Sequence, residues 1–178
     1  MSAPSRSLPR RMIRAARLDS ELYEEVEAEH RSLPQALVVV LLAAAAGGAA
    51  SVISGRALER ILVDVLEPLT LWIVGSVFTY MVGATFLRGP ETSTDYAEVL
   101  RTTGFAFTPG LLRLGGALPW PPLAAGLTYL ADAWMLVAGI VSVRQALDFT
   151  TWRAIATFGV SYALLWLTFE GFLFSLPL

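Results

Sequence analysis

Long apolar runs, broken by short polar segments, set the organisation of this chain. Residues 34–53, 68–87, 123–143 and 154–176 are almost continuously apolar, and a shorter apolar stretch lies at 104–118. An α-helix rises about 1.5 Å per residue, so about 20 apolar residues cross a hydrocarbon core about 30 Å thick. The pattern predicts an all-α polytopic membrane helix bundle of five transmembrane helices. Residues 104–118 contain Pro109, Gly110 and Arg113, so they form either a short kinked span or a re-entrant segment.

The polar segments have their own periodicities. Residues 1–18 read as a basic flexible tail, in which Pro4 and Pro9 discourage helix. Residues 19–33 read as an acidic juxtamembrane helix with its helical part at 21–29. Asp19 or Ser20 supplies the N-terminal cap, Leu22, Tyr23 and Val26 share one face, and the acids take the others. Residues 34–178 are then the five-span transmembrane domain. Its first span is rich in Ala and Gly, which lets helix backbones approach closely in lipid. Leu58, Ile61, Leu62 and Val65 oppose Arg56, Glu59, Arg60, Asp64 and Glu67, so residues 55–67 read as a short helix lying in the interface. In the loop at 88–98, Gly89, Pro90, Thr92 and Ser93 break the chain and Thr94 or Asp95 caps the helix that follows.

Composition sharpens this picture. The chain is 55% hydrophobic and 16% charged, against about 45–50% and about 25% in soluble domains. It has no Cys and one His, His30, which removes disulfides, thiolate chemistry and multi-His metal cages. Arg6, Arg10, Arg11, Arg14 and Arg17 are followed by acids and not by an apolar core, so the N-terminus does not read as a signal peptide. No nucleophile–base pair, phosphate-cradling Gly loop or H-E-x-x-H motif is present. The chain therefore reads as no enzyme, with no cofactor and no metal. The basic tail lacks interleaved aromatics, which argues against nucleic acid.

All 13 basic residues are Arg, and their distribution orients the chain. With five spans and the N-terminus inside, ten lie inside: Arg6, Arg10, Arg11, Arg14, Arg17, Arg31, Arg88, Arg101, Arg144 and Arg153. Arg56 and Arg60 lie outside. The expectation is a multi-pass protein of the cell inner membrane with a cytoplasmic N-terminus and an external C-terminus.

Three blocks are recognisable in order: R-L-D-S-E-L-Y-E-E-V-E-A-E-H-R-S-L-P-Q-A from Arg17, L-R-T-T-G-F-A-F-T-P-G from Leu100, and W-M-L-V-A-G-I-V-S-V-R-Q-A-L-D-F from Trp134. Together they resemble the bacterial branch of the Yip1 family of multispan membrane proteins. The resemblance covers nearly the whole chain from about Arg14. It implies five spans, a cytoplasmic N-terminus and an outward C-terminus. Eukaryotic members of that family are associated with small GTPases and vesicle traffic. No residue here matches a GTPase-recognition surface, so that role is not carried over.

The candidate partner-binding residues are Glu24, Glu25, Arg101, Arg144, Gln145 and Asp148. All fall on the expected cytoplasmic side, and Arg144 and Asp148 would share a face if their helix continued. Asp132 and Arg113 are the polar residues inside apolar stretches. An ionised carboxylate there costs ~3 kcal/mol on insertion scales, so a partner is expected, and Arg113 is the nearest choice. The reading that follows is a non-enzymatic membrane-organising or adaptor protein. Its partners are the lipid bilayer and an unidentified membrane or cytoplasmic protein, with a homo-oligomer packed through the small-residue first span also open. The alternative is a small oligomeric transporter or channel subunit using Asp132 and Arg113.

Overall fold

The computed structural model describes residues 7–88 and 94–175, and side chains as far as residue 168. Pro4, Arg6 and the loop breakers at 89–93 lie outside the described residues. Among the described residues every regular element is helical. The order is α1 (Leu8–Ala16), α2 (Ser20–Ala28), α3 (Leu33–Ile53), α4 (Leu58–Met81), α5 (Tyr96–Phe105), a 3-10 run (Thr108–Ala117), α6 (Pro121–Ala146) and α7 (Thr151–Ser175). Three segments are long and apolar enough to cross a membrane: His30–Ile53, Leu58–Phe86 and Pro121–Ala146. Helix α7 follows the last apolar run as far as residue 175 and packs against α4 and α6.

Within the expected flexible tail of residues 1–18, residues Leu8–Ala16 instead form α1. Pro9 falls in the first turn, where its missing N–H would have had no helical partner and its fixed φ suits the helix. The turn after α1 places Leu18 at φ 59°, and the Asp19 N–H reaches back to the Arg14 carbonyl. That closes the helix and folds α2 back on α1. Asp19 caps α2 by accepting from the Glu21 N–H at 3.1 Å. Leu22, Tyr23 and Val26 are fully buried, in one core cluster with Ala36, Val39, Val40, Trp72 and Phe105.

Helix α4 is a second departure. Residues 55–67 are not a separate interfacial helix, since α4 runs unbroken from Leu58 through Pro68. Pro68 offers no N–H to the Asp64 carbonyl. That oxygen instead faces Gly47, where a Cβ would come within 3.3 Å of it. The Thr70 hydroxyl donates to the Leu66 carbonyl at 3.0 Å, one turn back along the same helix. The apolar stripe of Leu58, Leu62 and Leu66 is exposed on the outside of the bundle. Asp64 is turned inward, only 8% exposed, accepting from the Ser51 hydroxyl and pairing with Arg60 at 2.7 Å.

The stretch at 104–118 is neither a plain α-helix nor a simple kink. It is the end of α5 followed by the 3-10 run, which packs chiefly on α3 and α6. A Cβ on Gly104 would lie 2.7 Å from the Ala36 Cβ, one on Gly110 2.9 Å from the Ala43 Cβ, and one on Gly116 3.7 Å from the Ala50 Cβ. The glycines recur every six residues and the alanines every seven. From Gly110 to Gly116, inside the 3-10 run, six residues are two turns, about 12 Å. Seven residues are about two turns of an α-helix, about 10.5 Å. The three contacts keep the two backbones side by side and parallel for the roughly 21 Å from Ala36 to Ala50. Close packing through small residues replaces a hydrophobic drive that lipid does not provide.

Candidate functional site

The candidate residues fall into two groups, one at the α1–α2 hairpin and one within the bundle. At the hairpin, the basic and acidic segments neutralise each other. Arg11, 2% exposed, donates to Glu25 Oε1 at 2.6 Å and Glu29 Oε2 at 2.5 Å. It also donates to Gln35 Oε1 at 2.8 Å on the first turn of α3. Arg14 bridges Asp19 at 2.6 Å and Glu25 Oε2 at 2.7 Å. Burial alone would weaken ionisation on both sides of this network. The hydrogen bonds outweigh it, holding the Arg11 guanidinium above and the Glu25 carboxyl below their ordinary values. Glu25 is thus committed to holding α1 against α2 and is not a free docking residue.

Arg101 is likewise committed. It is 2% exposed, and its Nη2 and Nε donate to the Glu27 carbonyl at 2.6 and 3.1 Å. The last turn of α2 has carbonyls with no helical partner. Arg101 occupies one of them and ties α2 to α5, so its expected place on a docking surface is corrected to an internal clamp. The remaining candidates form a short polar chain. Arg144 Nε donates to Gln145 Oε1 at 2.9 Å, and Gln145 Nε2 donates to Glu24 Oε1 at 2.7 Å. Helix α6 stops at Ala146, so Arg144 and Asp148 do not share a helical face. Asp148 sits at φ 50° in the turn, a region Asp enters more readily than most residues, while the Phe149 N–H bonds the Arg144 carbonyl. Glu24 and Asp148 remain exposed.

Glu27, which sequence reasoning did not single out, is the electrostatically strained member of this group. Burial first, then the charges of Asp148, Glu98 and Glu24, push its carboxyl up to about 7, against the pull of Arg101. The folded form therefore holds this proton more tightly than the unfolded chain. Hairpin docking is unpenalised below the ordinary value of 4.5, weakens as pH rises and carries its full penalty above about 7. Glu27→Gln should remove this dependence. Melting temperatures of the two proteins should nearly coincide at pH 5, with the variant the more stable at pH 8. A gap that does not change with pH would contradict the assignment.

Within the bundle, Arg113 on the 3-10 run meets Asp132 on α6. Arg113 Nε and Nη2 both donate to Asp132 Oδ1, at 2.9 and 2.8 Å. A second carboxylate, Glu67 on α4, lies 3.9 Å from Arg113 Nη1. Glu67 carried no weight in the sequence because it fell in the supposed interfacial segment. The continuous α4 delivers it to the bundle. These three residues form the polar end of a cleft of about 380 Å³ between α4, α6 and α7, walled by Trp72, Met135, Phe158 and Leu165 and lined also by the Ser76 and Ser161 hydroxyls.

The family model described as Yip1 domain matches residues 19–171. No curated protein and no solved structure matches the chain.

Proposed function

The chain belongs to the Yip1 domain family of membrane proteins, and from that premise we propose that it is a non-enzymatic adaptor of the cell inner membrane. It crosses five times, with the α1–α2 hairpin as a folded cytoplasmic cap and the C-terminus outside. The observation that carries this reading is the hairpin itself. Buried Arg11 and Arg101 fasten α1 and α2 to α3 and α5, which leaves Glu21, Glu24 and Asp148 exposed. A segment held this firmly presents a fixed surface. The five-crossing topology is supported by the register of residues 104–116 along α3 and by the inside bias of Arg. The partner is a membrane or cytoplasmic protein with a basic contact surface, since Glu21, Glu24 and Asp148 are all acidic.

The test is in-cell crosslinking from Glu21 with Glu24→Lys combined with Asp148→Asn. Glu25 is left intact because it holds the hairpin. The partner should be captured by the wild type and lost from the variant at unchanged protein level. Equal capture would count against the adaptor reading.

The bundle cleft favours a second reading, an oligomeric transporter or channel subunit using Asp132 and Arg113. It requires solute or ion flux through the wild-type protein in liposomes, and Asp132→Asn should abolish that flux.

A further inference from the structure

We propose that the cleft between α4, α6 and α7 seats one membrane lipid whose headgroup carries a protonated amine. The inference does not rest on the adaptor reading. Three observations carry it.

The first is charge. Glu67 and Asp132 face a single guanidinium, Arg113, and both carboxylates remain 42–45% exposed. Arg113 spends Nε and Nη2 on one oxygen, Asp132 Oδ1. The nearby arginines do not redress this, because Arg56 and Arg60 are both turned to Asp64. The polar end therefore carries one excess negative charge, which suits a cationic group and disfavours an anionic headgroup. An ammonium has donors for both carboxylates.

The second is an unspent hydroxyl. Ser161 lines the cleft and is 4% exposed, yet its Oγ has no hydrogen-bond partner. A buried hydroxyl left unpaired costs about 1–3 kcal/mol, and the cost is greater in hydrocarbon, where water does not compensate. A ligand acceptor, such as the ester carbonyl of a glycerolipid, relieves it.

The third is shape and access. Apart from these groups and the hydroxyls of Ser76, Thr79 and Thr103 the walls are apolar, and two lining residues, Leu136 and Tyr162, are 51% and 58% exposed on the outer surface of the bundle. The cleft thus opens sideways, toward acyl chains. Gly75 on its wall has nothing within 4 Å of where a Cβ would stand. At about 380 Å³ the space holds a headgroup and part of one chain, and the lateral opening lets the rest of the lipid stay in the bilayer.

The experiment is native mass spectrometry of the full chain released from bilayers of phosphatidylethanolamine and phosphatidylglycerol with matched acyl chains. The wild type should retain phosphatidylethanolamine several-fold over phosphatidylglycerol, in a ratio of one per chain. Glu67→Gln, which leaves the Arg113–Asp132 pair intact, should erase the preference. Gly75→Phe should reduce retention of both lipids, with helix content and melting temperature confirming that it folds. Equal retention of the two lipids by the wild type would overturn the proposal, as would a preference that survives Glu67→Gln or retention unaffected by Gly75→Phe.

Discussion

Arg11→Met should free the α1–α2 hairpin from the bundle while the spanning helices stay folded. The guanidinium is buried and answers Glu25, Glu29, Ser32 and Gln35 together. Its removal leaves Glu25 on α2 and Glu29 just past its end as half-buried like charges. Arg14 remains to answer Glu25. Breaking a buried ion pair by deleting one partner costs about 3–5 kcal/mol, and the partial exposure of the carboxylates places this case near the lower figure. A cost of ~3 kcal/mol changes the closed-to-open ratio of the hairpin by roughly a hundredfold. Limited trypsin digestion reads this directly, because Arg10, Arg14 and Arg17 flank or lie within the hairpin. Cleavage at these sites should accelerate strongly in the variant, with circular dichroism of the spans unchanged. A cleavage rate equal to the wild type would show that the hairpin is not held by this network.

Gly104→Val should be the most damaging single substitution in the bundle. The new Cβ would meet the Ala36 Cβ at 2.7 Å and Trp72 Nε1 at 3.0 Å. Neither has room to yield. Ala36 belongs to the buried core, and the Trp72 indole N–H already donates to the Leu100 carbonyl at 2.8 Å. Overpacking of this kind costs about 1–3 kcal/mol. Displacement of the small-residue seam adds to it, because Gly110 and Gly116 follow Gly104 along the same face. Gly75→Ala is the control. Its Cβ meets nothing within 4 Å, and replacing a helical Gly by Ala favours the helix by up to about 1 kcal/mol. Melting temperature should fall by many degrees for Gly104→Val and hold or rise for Gly75→Ala. Similar effects from the two would mean that the seam carries no packing energy.

Much of the fold was legible in the chain because lipid-facing helices need no subtle patterning. The apolar runs of α3, α6 and α7 were visible by length. The stripe of Leu22, Tyr23 and Val26, the caps at Asp19 and Asp95 and the Arg113–Asp132 pair all followed from local rules. The misreadings share a cause, which is that a proline means different things at different helix positions. Pro9 disfavours a helix interior yet fits the first turn of α1. Pro68 sits inside α4, which continues through it with the Asp64 carbonyl in close approach to Gly47. The 3-10 run was hidden by its period. Gly104 at the end of α5 and Gly110 and Gly116 in the run recur every six residues, a spacing that an α-helical pattern does not emphasise. In the sequence the opposed charges of the hairpin stand apart, as a basic tail and an acidic helix. The spacing of Arg11 and Arg14 against Glu25 and Glu29 could have shown that they match each other, had α1 been recognised as a helix. Neither the cleft nor the idle Ser161 hydroxyl had any local signal, since both arise only where α4, α6 and α7 come together.

The central claim is that the chain from Tyr96 to Ala117 crosses the membrane beside α3 and so places the hairpin and the α6–α7 turn on one side. The absence of Cys makes this directly measurable, since any introduced thiol is the only one in the chain. Single Cys residues at Ser54, Pro119 and Thr150, labelled in intact cells with a membrane-impermeant maleimide, map the crossings. Labelling of positions 54 and 119 from outside, with 150 reached only after permeabilisation, is the predicted result. Labelling of 54 but not 119 from outside would make the segment re-entrant and contradict the account.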